Sequence, residues 1–147
     1  MPATCETLGL TFDYPDNWQF DEPAEGDSIA VVASPETAFW QISRHPSGTE
    51  LESLFDEAMA ALRAEYKEIE AHPAEPETFD GITLTGYEVN FYCLDFTNTC
   101  RLRGFQTPEA VYLLICQAED REMARTEPVF QAMLTSLFRN RVTNDQA

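Results

Sequence analysis

The chain has 147 residues, of which 44% are hydrophobic and 12% aromatic, a composition that can build a packed core. Its 26 acids against 9 bases give a formal net charge of −17, which repels phosphate backbones and anionic lipid surfaces and so argues against nucleic-acid and membrane partners. No stretch reaches the ~20 apolar residues of a membrane-spanning helix, and the start, Met1-Pro2-Ala3-Thr4-Cys5-Glu6, has neither the basic nor the apolar region of a secretory signal. The expectation is a cytoplasmic protein, with one domain over residues 1–141 and a frayed tail at 142–147.

In chain order, Leu8, Leu10, Phe12 and Tyr14 alternate with polar residues or glycine and predict a half-buried strand, ended by the turn chemistry of Pro15-Asp16-Asn17. Residues 21–27 form an acidic loop. Strands follow at 28–33 and 38–44, the second with Trp40 and Ile42 on one face; Trp40, like Trp18, reads as core. Thr49 and Glu52 have the spacing of a capping box. Leu51, Phe55, Met59, Leu62, Tyr66 and Ile69 then recur at helical spacing, predicting one long helix over 49–72, stopped before Pro73.

Ile82, Leu84 and Gly86 share one strand parity, whereas Tyr87, Val89, Phe91 and Cys93 share the other, and that flip predicts a β-bulge at Gly86. A hairpin turning at Asp95-Phe96-Thr97-Asn98 would set Cys93 opposite Cys100, Tyr92 opposite Arg101 and Asn90 opposite Arg103. Val111–Cys116 is almost wholly apolar and reads as a central strand covered on both faces. A last helix near 120–139 buries Phe130, Met133, Leu134, Leu137 and Phe138.

The charge is uneven. Residues 1–80 hold 18 acids and 3 bases, a net of −15, whereas residues 81–147 hold 8 acids and 6 bases, a net of −2. One reading is a solvated acidic surface suited to high salt. The other is a docking face for a basic protein partner, with Asp16, Asp21, Glu22, Glu25, Asp27, Glu57 and Glu68 as the residues that meet it. The acids of the 13–27 segment do not have calcium-loop spacing, so no metal ligand is assigned and no cofactor is expected. The alternative reading is a small-ligand or metal-ion-binding domain, with Tyr92, Arg101 and Arg103 as the candidate group for a small anionic ligand. Cys93 and Cys100, if opposed, are a candidate cross-strand disulfide; otherwise they are small buried hydrophobes.

No catalytic residue is assigned. His45 and His72 each precede a proline and read as loop residues, and no motif couples either to a nucleophile. The chain also has no glycine-rich phosphate loop. Nothing in the sequence fixes an oligomeric state beyond a monomer or weak dimer.

Three segments resemble PsbP-like domains. Residues 10–18, LTFDYPDNW, resemble their opening strand and Tyr-Pro turn. Residues 79–87, FDGITLTGY, resemble the strand that follows their long helix, and residues 130–138, FQAMLTSLF, resemble their closing helix. The likeness runs from about Leu8 to Arg139. This superfamily includes photosystem PsbP, the nuclear-import factor that binds the GTPase Ran, DcrB-like lipoproteins and Eag-type secretion chaperones. The resemblance implies an α+β fold, a three-layer α/β/α sandwich around an antiparallel sheet of six or seven strands. It also implies a non-enzymatic protein that binds other proteins, in some members with metal. Many bacterial relatives carry a signal or lipobox that is not apparent in this sequence.

Overall fold

A computed structural model describes the backbone of residues 2–146 and the side chains of residues 2–140. In chain order the elements are β1 (Ala3–Thr7), β2 (Leu10–Tyr14), β3 (Gln19–Asp21), β4 (Ile29–Ala33), β5 (Phe39–Pro46), α1 (Leu51–Glu65), β6 (Glu70–Pro73), β7 (Glu77–Phe79), β8 (Ile82–Cys93), β9 (Phe96–Gln106), β10 (Ala110–Glu119) and α2 (Asp120–Gln146). An antiparallel sheet runs in the order β3-β4-β5-β10-β9-β8-β6, with β7 also paired to β8; β1 and β2 form a separate hairpin. The expected α+β sandwich is therefore present, with eight strands in its sheet. The tail at 142–147 lies outside the residues described with side chains.

β10 sits in the middle of the sheet, and its alternation divides the core. Val111 and Leu113 join Leu54, Phe55 and Met59 of α1 with Val89, Phe91, Cys100 and Leu102. Tyr112, Leu114 and Cys116 join the α2 stripe Phe130, Met133, Leu134, Leu137 and Phe138, together with Phe12 of β2, Val32, Trp40 and Ile42. Trp18 packs edge-on against Phe130, so both tryptophans are core. On the other side, α1 rests directly on Gly104: a Cβ there would lie 2.5 Å from Leu51 Cδ2 and 2.9 Å from Phe55 Cζ.

Several local expectations are corrected. The first strand is a tight hairpin, not one strand from Leu8: Leu8 and Gly9 turn at φ 55° and 80°, and β1 pairs back on β2. Positive φ at both central residues is the turn geometry that suits the strand twist. The capping box does not form, because the Thr49 hydroxyl donates instead to the Pro46 carbonyl and Glu50 caps through its backbone alone.

Helix α1 ends at Glu65 rather than near residue 72. Tyr66 leaves the helix to stack on Phe91, with ring centroids 4.1 Å apart, and residues 70–73 pair with the open edge of β8. Ile69 and Ala71 satisfy a period of two as well as a helical one, and the unpaired edge of β8 selects the strand.

There is no bulge at Gly86, since β8 pairs with β9 without a break from Thr85 to Cys93. The parity flips because the two ends of β8 serve different cores. Ile82 and Leu84 pack on the α2 side, and Tyr87, Val89 and Phe91 pack under α1.

Candidate functional site

The hairpin β8–β9 turns at Leu94-Asp95 (φ 50° and 69°), four register positions away from the expected pairing. A shift by four keeps every residue on its predicted face but changes its partner. Cys93 faces Phe96, Cys100 faces Val89 and Tyr92 faces Thr97. Cross-strand polar pairs favour this register: Arg101 Nε lies 3.1 Å from Glu88 Oε1, and Thr99 donates to Asn90 Oδ1 at 3.0 Å.

Two candidate sites dissolve as a result. Cys93 and Cys100 are offset by four residues, about 13 Å along the ladder, beyond the ~7 Å Cα separation a disulfide tolerates. The expected Cys93–Cys100 bridge is therefore ruled out by register. Burial pushes the Cys100 thiol up to about 12, against a smaller opposing effect of Arg103. Cys5 rises to about 12 through burial and then the Asp13 charge, and burial also raises Cys116. These thiols are held in the protonated, weakly nucleophilic form.

Tyr92, Arg101 and Arg103 do not assemble into an anion site either. Tyr92 stands exposed at the hairpin tip. Arg101 is held between Glu88 and Glu127, the latter at 2.9 Å. Arg103 Nη1 donates to the carbonyls of Tyr87 and Leu102, each at 3.0 Å; burial, then the neighbouring Arg101 charge, lowers its pKa.

The histidines lie on strands, not in loops. His72 faces Glu88 across β6–β8. His45 Nε2 is 2.9 Å from the hydroxyl of Ser43, two residues earlier on the same face of β5. The period-two spacing of Ser43 and His45 is the signal that would have found this pair. Ser43 is buried beside the Leu113 carbonyl.

The acidic residues fall into separate groups. Asp21, at the end of the edge strand β3, and Glu22, Glu25 and Asp27 in the loop to β4 are all exposed, and none has an ion-pair partner among the described residues. Asp16 sits nearby, after β2, where it lines a cleft of about 570 Å3 with Tyr14, Pro15, Val129, Met133 and Arg139. Glu57 is exposed on α1, over the other half of the sheet. Glu68 precedes β6 at the opposite edge, on the order of 30 Å from β3 by strand spacing. The seven predicted residues therefore do not form one patch; the β3–β4 group does.

Some acids elsewhere are committed to internal bonds. Glu122, 3% exposed, accepts from Ser34 Oγ at 2.7 Å and from the Thr37 N–H and hydroxyl, each at 2.6 Å. Burial alone would raise its pKa, but these bonds and one from the Ala38 N–H outweigh it and hold the carboxyl below the usual range. Glu36 pairs with Arg125 at 2.7 Å, tying the same β4–β5 turn to α2.

No family model and no curated protein matches the chain. Solved structures do. A Pseudomonas aeruginosa protein of unknown function, described as a candidate regulator, superposes with a TM-score of 0.60 at 14% identity, over 92% of this chain and 95% of that one. Cyanobacterial PsbP from Synechocystis superposes with a TM-score of 0.62 at 14% identity, over 92% and 89%. The chain has the PsbP-like fold. LpqN of Mycobacterium tuberculosis, involved in cell envelope biogenesis, shares it more loosely, with a TM-score of 0.51 at 12% identity over 90% and 80%. Among the described residues, no helix of the chain is long and apolar enough to cross a membrane, and no group of three or more His, Cys, Asp or Glu side chains is placed to hold a metal ion.

Proposed function

We propose that the chain is a non-enzymatic, cytoplasmic adaptor that docks a basic protein partner on the β3–β4 end of its sheet. One observation carries this reading: Asp21, Glu22, Glu25 and Asp27 crowd one exposed corner, and no cation among the described residues neutralises them. Such a field steers a cationic partner and raises its association rate, an effect that salt screens. The structural neighbours, cyanobacterial PsbP, a protein described as a candidate regulator and one involved in cell envelope biogenesis, are consistent with a binding role.

The test is affinity capture at ~0.15 M and ~0.5 M salt, with the wild-type protein and with the Asp21→Lys, Glu22→Lys, Glu25→Lys variant. A partner held by wild type at low salt, and lost both at high salt and by the variant, supports the reading. Identical captures by the two proteins overturn it.

The cleft between β2 and α2 favours a second reading, a small apolar ligand held against Tyr14, Val129 and Met133. A ligand panel that raises Tm in wild type but not in a Met133→Gln variant would favour that reading.

A further inference from the structure

Among the described residues, four large hydrophobic side chains are exposed: Ile29, Tyr92, Leu94 and Phe96. Three of them lie within five consecutive positions, at the tip of the β8–β9 hairpin. Single exposed apolar residues need no explanation, but a cluster on a projecting tip does.

Leu94 is the least expected. It is 87% exposed, so packing does not hold it there, and its φ of 50° is left-handed. A two-residue turn with positive φ at both positions favours Asn-Gly, and a leucine in it is strained. Neither burial nor turn chemistry accounts for the residue.

Beside the tip, a groove of about 580 Å3 is lined by Ile69, Asn90, Phe91, Tyr92 and Thr97. Glu68, Glu70 and Asp120 also line it, and Asp95 stands exposed on the turn itself. Phe96 already accepts a cation: the Arg121 guanidinium lies 5.4 Å from its ring centroid. The surface thus offers apolar and aromatic anchors beside four carboxylates, Glu68, Glu70, Asp95 and Asp120, against the one guanidinium of Arg121 over Phe96. An acidic peptide or an anionic lipid would meet repulsion there, whereas a segment alternating apolar side chains with Lys or Arg would satisfy both parts.

We infer that the β8–β9 tip and the adjoining groove are a second docking surface, which takes an apolar, lysine- or arginine-rich segment of a protein partner. This inference rests on the reading of the chain as a module for a basic protein, but it uses the opposite edge of the sheet from the Asp21–Asp27 corner.

Leu94→Asn tests it cleanly, because asparagine suits the turn and removes only the apolar anchor. The probe is a synthetic peptide of about 12 residues alternating Leu and Lys, compared with a Leu/Glu peptide, a Ser/Lys peptide of equal charge and neutral phosphatidylcholine vesicles. Amide chemical shifts locate the contact and fluorescence anisotropy gives the affinity.

The Leu/Lys peptide should shift residues 68–70, 90–97 and 119–121, and the other probes should not. Leu94→Asn combined with Tyr92→Ser should weaken binding about tenfold or more without lowering Tm, whereas the Lys triple variant at Asp21, Glu22 and Glu25 should not weaken it. Equal binding of the Ser/Lys peptide, unchanged affinity in the tip variant, binding to vesicles instead, or a self-association that the tip variant abolishes would each overturn the inference. If binding is lost in the triple variant and kept in the tip variant, the acidic corner stands as the docking site and the tip falls. If it is lost in the tip variant and kept in the triple variant, the tip stands and the corner has no part in holding this segment.

Discussion

At the β3 edge of the sheet, Asp21, Glu22, Glu25 and Asp27 face solvent with no cation beside them among the described residues, whereas Glu36, Glu88, Glu122 and Glu127 are bound into the fold. Glu122 clamps the β4–β5 turn, Glu36 holds Arg125, and Glu88 and Glu127 grip Arg101 from two sides. The same residue types therefore do two kinds of work. Those with donors close by stabilise the fold; those without leave their field to whatever approaches from outside. The contrast between these two groups can be broken or sharpened by substitution.

The largest effect is expected at Glu122. Glu122→Ala strands the donors of Ser34 and Thr37 and should cost about 3 kcal/mol in urea unfolding. A loss below about 0.5 kcal/mol, the range of an ordinary surface change, would erase the contrast. The same carboxylate predicts a pH effect. Its folded pKa lies below its unfolded value, so its stabilisation is fully present above about pH 4.3 and is lost as pH falls through the lower folded value. Unfolding curves from pH 7 to 3 should fall less steeply at the acid end for Glu122→Gln than for wild type.

Arg101→Met comes next. It leaves Glu88 and Glu127 without their shared cation, but both carboxylates are well exposed, so the expected cost is about 1 kcal/mol. It should shrink in high salt. A loss independent of salt would mean that Arg101 acts by packing its stem.

At the other edge, the Asp21→Lys, Glu22→Lys, Glu25→Lys variant moves the net charge from −17 to −11 and removes no internal bond. Its stability should stay within about 0.5 kcal/mol of wild type, and any change should be a gain from reduced self-repulsion. Calorimetric unfolding showing a loss above about 2 kcal/mol would mean that these acids are structural after all.

The sequence displays the layers of this fold better than its local pairings. The helical stripe Phe130–Phe138, the doubly covered strand 110–119 and the parity of β8 are set by burial, and burial writes itself as periodicity. Register is different. The hairpin slip of four positions leaves every side chain on its face, so the hydrophobic pattern is blind to it, and only the Arg101–Glu88 and Thr99–Asn90 pairs distinguish the two registers. Tyr66 and Ile69 likewise fit a helix until Phe91 and the open edge of β8 are in view. The acidic corner is legible because its four acids are close in sequence. Its separation from Glu57 and Glu68 is not, since it depends on strand order.

The most direct measurement is the association rate of the captured partner as a function of ionic strength, for wild type and for the variant with Lys at 21, 22 and 25. Steering by the acidic corner predicts a rate that falls steeply with salt in wild type and a slower, nearly flat rate in the variant. Equal rates with equal salt slopes would contradict it and return the acidity of this corner to the solvent.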